Sequence, residues 1–376
     1  MNRLDDKIKR LGALMNAKSQ FTVPLVQPVK NCFRIVMDEA EKDFLLAVGA
    51  RCMTRAQLCA LYGDAPQFDA FFEQLLRKSL LWKRGEGYEL APIFPGWIEV
   101  YGGGSLDDPT RRRMMREFAA FEQWLRQLNI PPVRLYMNCV NSKKIREQPA
   151  RMSVTVSRGR KRVALDEPLT AQQAVTTAGE IMPMLERHAQ QLAVMNCFCR
   201  TLRRLEGEDC AFDLPLEGCM MVGALSDQIA DSGIGRRISL EEAKRMIVDF
   251  EQKGCIHTIY HYGMDTDQEE IAICNCCVDC CFVYHGYRSG SLSQILAKSY
   301  FIPEIVDESA CVGCGKCGKY CPTEATWYDS AQKKLHFLPE NCIGCGQCVT
   351  QCAFPVRALR RRERQVFVRS KRRPHA

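Results

Sequence analysis

A block of cysteines occurs twice towards the end of the chain, as CVGCGKCGKYCP at 311–322 and CIGCGQCVTQCA at 342–353. Both copies read C-x2-C-x2-C-x3-C, and each cysteine of the second follows its counterpart by 31 residues. The chain opens on MNRLDDKIKR, which is charged and lacks the apolar run of a secretory signal. No stretch approaches the ~18 apolar residues of a membrane span, and FLLAVGA (44–50) is among the longest apolar runs. A cytoplasmic protein without a membrane span is therefore expected. In that compartment thiols stay reduced, and clustered cysteines signal metal more often than disulfides. An iron–sulfur cubane takes four thiolates at tetrahedral corners, and C-x2-C-x2-C wraps three of them around one cluster. Structural zinc is the alternative.

The duplicated block resembles the bacterial two-cluster ferredoxin family over about residues 305–356. The resemblance implies two 4Fe–4S clusters, one on Cys311, Cys314, Cys317 and Cys352, the other on Cys342, Cys345, Cys348 and Cys321. Gly313, Gly315, Gly344 and Gly346 leave backbone N–H groups free to approach the sulfides. One departure stands out. The first copy has Cys321-Pro322, whereas the second reads Cys352-Ala353-Phe354-Pro355, which alters the turn after Cys352.

Ten more cysteines lie between Cys197 and Cys281. NCFCR carries Cys197 and Cys199, Cys210 and Cys219 follow, and ICNCCVDCC packs Cys274, Cys276, Cys277, Cys280 and Cys281 together. In extended backbone adjacent residues face opposite ways, so Cys276 and Cys277 are expected to serve different sites, or one a metal and the other a packing role. Cys277 and Cys280 have the C-x2-C spacing of a single metal site. With Cys255 set aside as a small buried hydrophobe, nine cysteines suffice for one or two further Fe–S clusters. The expected sets are Cys197, Cys199, Cys210 and Cys219, then four of the five in 274–281, although spacing equally allows mixed pairing. Zinc and redox-active thiols are the alternatives, and His257, His261 and His285 are candidate substitute ligands. The whole chain also resembles a group of little-characterised prokaryotic iron–sulfur proteins that join a winged-helix-like start, such cysteine motifs and a dicluster ferredoxin end.

The rest of the chain supports an α+β multidomain fold. Leu4, Ile8, Leu11 and Leu14 predict a short amphipathic helix, followed by a Pro-containing linker, over 1–37. Residues 38–100 read as three helices and a hairpin: EAEKDFLLAV stopping at Gly49, a helix capped by Thr54 and stopping at Gly63, PQFDAFFEQLLRKS, then LLWK and YEL around RGEG. This stretch resembles a winged helix. Over 105–300 a cysteine-rich α/β domain is expected. It includes a helix from Pro109, β-like runs VRLYMNCV and RMSVTVS, a basic turn RGRKR, and a long helical pattern over about 170–194. Ser239 caps the helix LEEAKRMIVDFEQK, which Gly254 closes. The two-cluster module occupies 301–356, and a basic tail 357–376.

Charge separates the functional classes. The formal net charge is +8, yet nine Lys/Arg against one Glu in 357–376 account for all of it. Residues 38–97 carry nine Asp/Glu against seven Lys/Arg, a poor start for neutralising phosphates, so nucleic acid is not the expected partner. DSGIGRR (231–237) lacks the third glycine of a dinucleotide fingerprint, and no Walker motif, G-x-S-x-G or H-E-x-x-H occurs. The expected function is an oxygen-sensitive electron-transfer protein relaying single electrons between redox partners. Flavin or nicotinamide would sit on a partner enzyme. The alternatives are an Fe–S reductase with a substrate-binding cluster in the middle domain, and a cluster-sensing winged-helix DNA regulator. The tail would steer a partner, solubilise the chain or touch nucleic acid.

Overall fold

The computed structural model describes residues 3–19, 22–127, 155–157, 160–162, 173–176, 178–261, 270–289 and 296–362. The fold is mixed α/β and divides into two compact units. One comprises Met1–Ile130, Gln190–Asp209 and Pro215–Ile238; the other comprises Pro131–Ala189, Cys210–Leu214 and Ser239–Ala376. The expected middle domain is thus shared between them. No helix among the described residues is long and apolar enough to cross a membrane.

In the first unit, α1 (Arg3–Lys18) buries Ile8, Leu11 and Met15 at helical spacing. α2 (Gln27–Val36) lies where a linker was expected from the prolines. Pro28 stands in its first turn, where a missing N–H costs no hydrogen bond, and Val29, Cys32, Phe33 and Val36 are buried. α3 (Glu39–Val48) starts at an Asp38/Glu41 capping box and α4 (Arg55–Tyr62) at a Thr54/Gln57 box, so local side-chain chemistry fixes both N-termini. β1 (Cys52–Thr54) precedes α4, and α5 (Ala65–Arg77), β2 (Leu81–Arg84) and β3 (Gly87–Leu90) follow it. β3 pairs antiparallel with both β1 and β2. The exposed charges beside α5 are neutralised locally, Asp69 by Arg55 at 2.7 Å and Glu73 by Arg77 at 3.5 Å.

The same unit contains helix Pro109–Gln127 and the strand Leu192–Asn196, which pairs antiparallel with Glu217–Val222 and Arg236–Arg237. Gln228 of helix Ala224–Asp231 donates to the Leu81 carbonyl (2.7 Å) and accepts from the Lys83 N–H (2.9 Å), closing the edge of β2. The long helix expected over 170–194 is instead a strand (Gln173–Thr176), a helix (Ala178–Arg187) and a strand (Leu192–Asn196). Leu192–Met195 is buried on both faces, so it shows no period-2 alternation and imitates the interior of a helix.

In the second unit, Ile256–His261 lies between Gln173–Thr176 and Glu270–Cys276, antiparallel to both. Ser239 Oγ accepts from the Glu242 N–H at the start of helix Leu240–Gln252. The cysteine-rich end carries two antiparallel pairs, Phe301–Ile305 with Arg357–Arg361 and Thr326–Asp329 with Lys334–Phe337. Residues 357–361, expected as the start of a basic tail, are therefore a strand of this module, while 363–376 lie outside the described residues. Residues 133–140 also lie outside them; of RMSVTVS and RGRKR, Thr155–Ser157 pairs with Arg160–Arg162.

Candidate iron–sulfur and metal sites

The duplicated motifs fold alike. In each, the loop carrying the first two cysteines runs into a one-turn helix, Lys316–Lys319 or Gln347–Thr350, that holds the third. The residue before each helix is a glycine in the left-handed region, Gly315 (φ +70°) and Gly346 (φ +79°), a conformation that a side chain would strain. Burial separates the copies. Cys314 is exposed and Val312 is 60% exposed, whereas Cys342, Ile343 and Gly344 are buried. Four of the exposed large hydrophobic side chains, Ile305, Val306, Val312 and Phe354, belong to the segments around the first motif and Cys352.

The donor chemistry fits 4Fe–4S clusters. Backbone N–H groups point at the sulfurs, Ala325 to Cys321 Sγ (3.1 Å) and Gly344 to Cys342 Sγ (3.3 Å), donors that favour thiolates and would tune a bound cluster. Burial pushes up the Cys345 thiol, and negative charge on Cys321, Cys348 and Cys342 pushes it further. The charge of Cys321 thus acts on the Cys345 and Cys348 thiols of the second motif, as does that of Cys317 on Cys348. Burial also raises Cys317 and Cys348, and at both the charge of Arg357 works against it. Arg357 is buried, donates through Nη2 to Thr326 Oγ1 (2.5 Å) and lies 5.6 Å from the Phe337 ring centroid. Its Nη1 is buried without a hydrogen-bond partner, a donor left for a group beside the thiols. No local pattern marks this role, because Arg357 reads only as one charge of a basic run.

The middle cysteines form three groups. In the first unit, Cys197 caps helix Phe198–Leu205 and contacts Cys199 and Cys219, the latter facing Met195 across a strand pair. Hydrogen bonds from Cys199 and Cys219 hold the Cys197 thiol well below its ordinary range, with the Arg200 charge adding to them. In the second unit, Cys276 contacts Cys274 and Cys281, and those contacts together with burial raise its pKa. Cys277 and Cys280 converge instead on Cys210, with Asp279 beside them. Adjacent Cys276 and Cys277 therefore serve different groups. Of the expected set, Cys197, Cys199 and Cys219 belong to the first unit and Cys210, with Cys210–Leu214, to the second, a division that spacing does not carry.

Cys255 is fully buried, and its carbonyl accepts from Gln347 Nε2 (2.6 Å) beside the second motif. His257 bonds through Nδ1 to Asn275 Oδ1 (2.7 Å), and burial lowers its pKa to about 4, so the ring is neutral at pH 7. Asn275 lies between Cys274 and Cys276 on an extended strand, which places this pair on the face opposite the thiols. The side chain of His261 lies outside the described residues, and His285 lies on helix Phe282–Ser289. An apolar cluster joins the middle thiols to the second motif: Cys276, Cys281, Tyr284, Ile256 and Ile343 are buried together, with Cys274 and Cys345 packed against them.

Residues 304–353 match the family model of the 4Fe-4S dicluster domain. No curated protein and no solved structure matches the chain. With that domain and its many further cysteines, the chain is an iron–sulfur protein carrying a 4Fe–4S dicluster domain at residues 304–353.

Proposed function

We propose that the chain relays single electrons between redox partner proteins through two 4Fe–4S clusters, entering or leaving at the first motif. Cys311, Cys314, Cys317 and Cys352 would hold the outer cluster, and Cys342, Cys345, Cys348 and Cys321 the inner one. Such clusters supply one-electron chemistry; the protein sets their potential through burial, charge and N–H donors. The observation that carries this reading is the gradient of burial, from exposed Cys314 and Val312, through buried Cys342, to the apolar cluster that joins Cys345 to Cys276 and Cys281. A further cluster is assigned to the Cys274, Cys276 and Cys281 group, which continues that path inward. Cys197, Cys199 and Cys219 are the second place for one.

We read the N-terminal order of helix, strand, helices and hairpin as winged-helix-like, with a role in protein contact rather than DNA reading. The locally paired charges beside α5 support this, since they leave little net charge for phosphates. Val312→Gln tests the point of entry, because the residue is exposed, ligates nothing and the change adds no charge. With a flavoprotein reductase and nicotinamide donor as probe, the electron-transfer rate should fall several-fold while the absorption spectrum and midpoint potentials stay unchanged. An unchanged rate would move the docking face away from the first motif.

A further inference from the structure

We propose that Cys210, Cys277, Cys280 and Asp279 form a mononuclear site for one zinc-type divalent ion, separate from the clusters. The four donors come from two segments, and their ligand atoms all lie within 4.8 Å of one another. Cys210 Sγ stands 3.9 Å from Cys277 Sγ and 3.7 Å from Asp279 Oδ1.

Those distances discriminate between the possible occupants. Tetrahedral zinc with bonds of about 2.3 Å to sulfur spaces its thiolates about 3.8 Å apart. The thiolates of a cubane bind different irons and stand on the order of 6 Å apart. A disulfide needs about 2.05 Å between the sulfurs. The 3.9 Å separation therefore suits one shared ion. Asp279 is oriented for it: Oδ2 accepts from the Ala211 N–H (2.7 Å), which leaves Oδ1 on the side of the thiols.

Bound there, the ion would clip the 210–214 segment to the 277–280 turn. The Phe212 ring already packs against Tyr320, 5.1 Å between centroids, next to the inner-cluster cysteine Cys321. The site stands apart from the cluster reading, because zinc and iron are counted separately.

The test uses the full chain purified anaerobically with its clusters in place and dialysed against EDTA. Elemental analysis should find about one zinc per chain, and zinc-edge X-ray absorption should find three sulfurs at about 2.3 Å, one oxygen at about 2.0 Å and no neighbouring iron. Asp279→Ala and Cys280→Ser should each weaken zinc retention at least about tenfold, with wild-type iron and labile sulfide preserved. Where Cys280→Ser fails to fold, Asp279→Asn and the wild-type absorption spectrum carry the test. Absence of zinc from the dialysed wild type would overturn the site. So would loss of iron and labile sulfide together, in fours, from the variants.

Discussion

Arg357 shows how one side chain can act on two sites. Its guanidinium is buried, Nη2 is bonded to Thr326, Nη1 has no partner, and its charge reaches both Cys317 and Cys348. In the proposed assignment these belong to the outer and inner clusters respectively. A fixed positive charge favours the more negative, reduced form of each. Arg357→Gln is therefore expected to lower both midpoint potentials by something on the order of tens of millivolts, with iron content unchanged, in an EPR-monitored redox titration. Arg357→Lys should recover part of the shift. Nothing local in the sequence marked this residue, because its neighbours Arg360, Arg361 and Arg362 made it one of a run. The eight motif cysteines were legible because their spacing repeats. Asp279 was not, since a carboxylate inside C-x2-C becomes a candidate ligand only once Cys210 arrives from a distant segment.

At the level of elements, legibility followed local chemistry. α3 and α4 carry their own capping boxes: the structure starts α4 where Thr54 predicts, and α3 at Glu39, the first residue of the expected helix EAEKDFLLAV. α2 escaped because its proline reads as a linker until the helix behind it is seen to bury Phe33 and Val36. The strand at 192–196 escaped because both of its faces are covered. Gly254 was expected to close a helix, and the structure adds a second constraint. Its φ is +92°, and a Cβ there would stand 2.2 Å from the Tyr320 ring. Gly254→Ala should therefore displace the ring that Phe212 packs on and cost about 1–3 kcal/mol, read as a lower midpoint in anaerobic thermal denaturation. Because Tyr320 precedes Cys321, the visible absorption of the clusters should be lost at the same lowered temperature.

Across the whole molecule, the net charge of +8 takes on a different meaning. Part of the presumed tail, Arg357–Arg361, pairs with Phe301–Ile305, and Glu304 is bonded to Arg362. The excess therefore begins inside the dicluster module, on the side where Ile305 and Val306 are exposed. Under the proposed electron transfer at the outer cluster, this charge would favour an acidic redox partner. The central claim is that this chain is built around two four-iron clusters, with a third on the Cys274, Cys276 and Cys281 group. Anaerobic iron and labile-sulfide analysis with EPR of the dithionite-reduced protein tests it most directly. The prediction is about 12 iron per chain, falling by about four in Cys276→Ser, with two interacting one-electron centres retained. Iron near zero with zinc at several ions per chain would contradict the account.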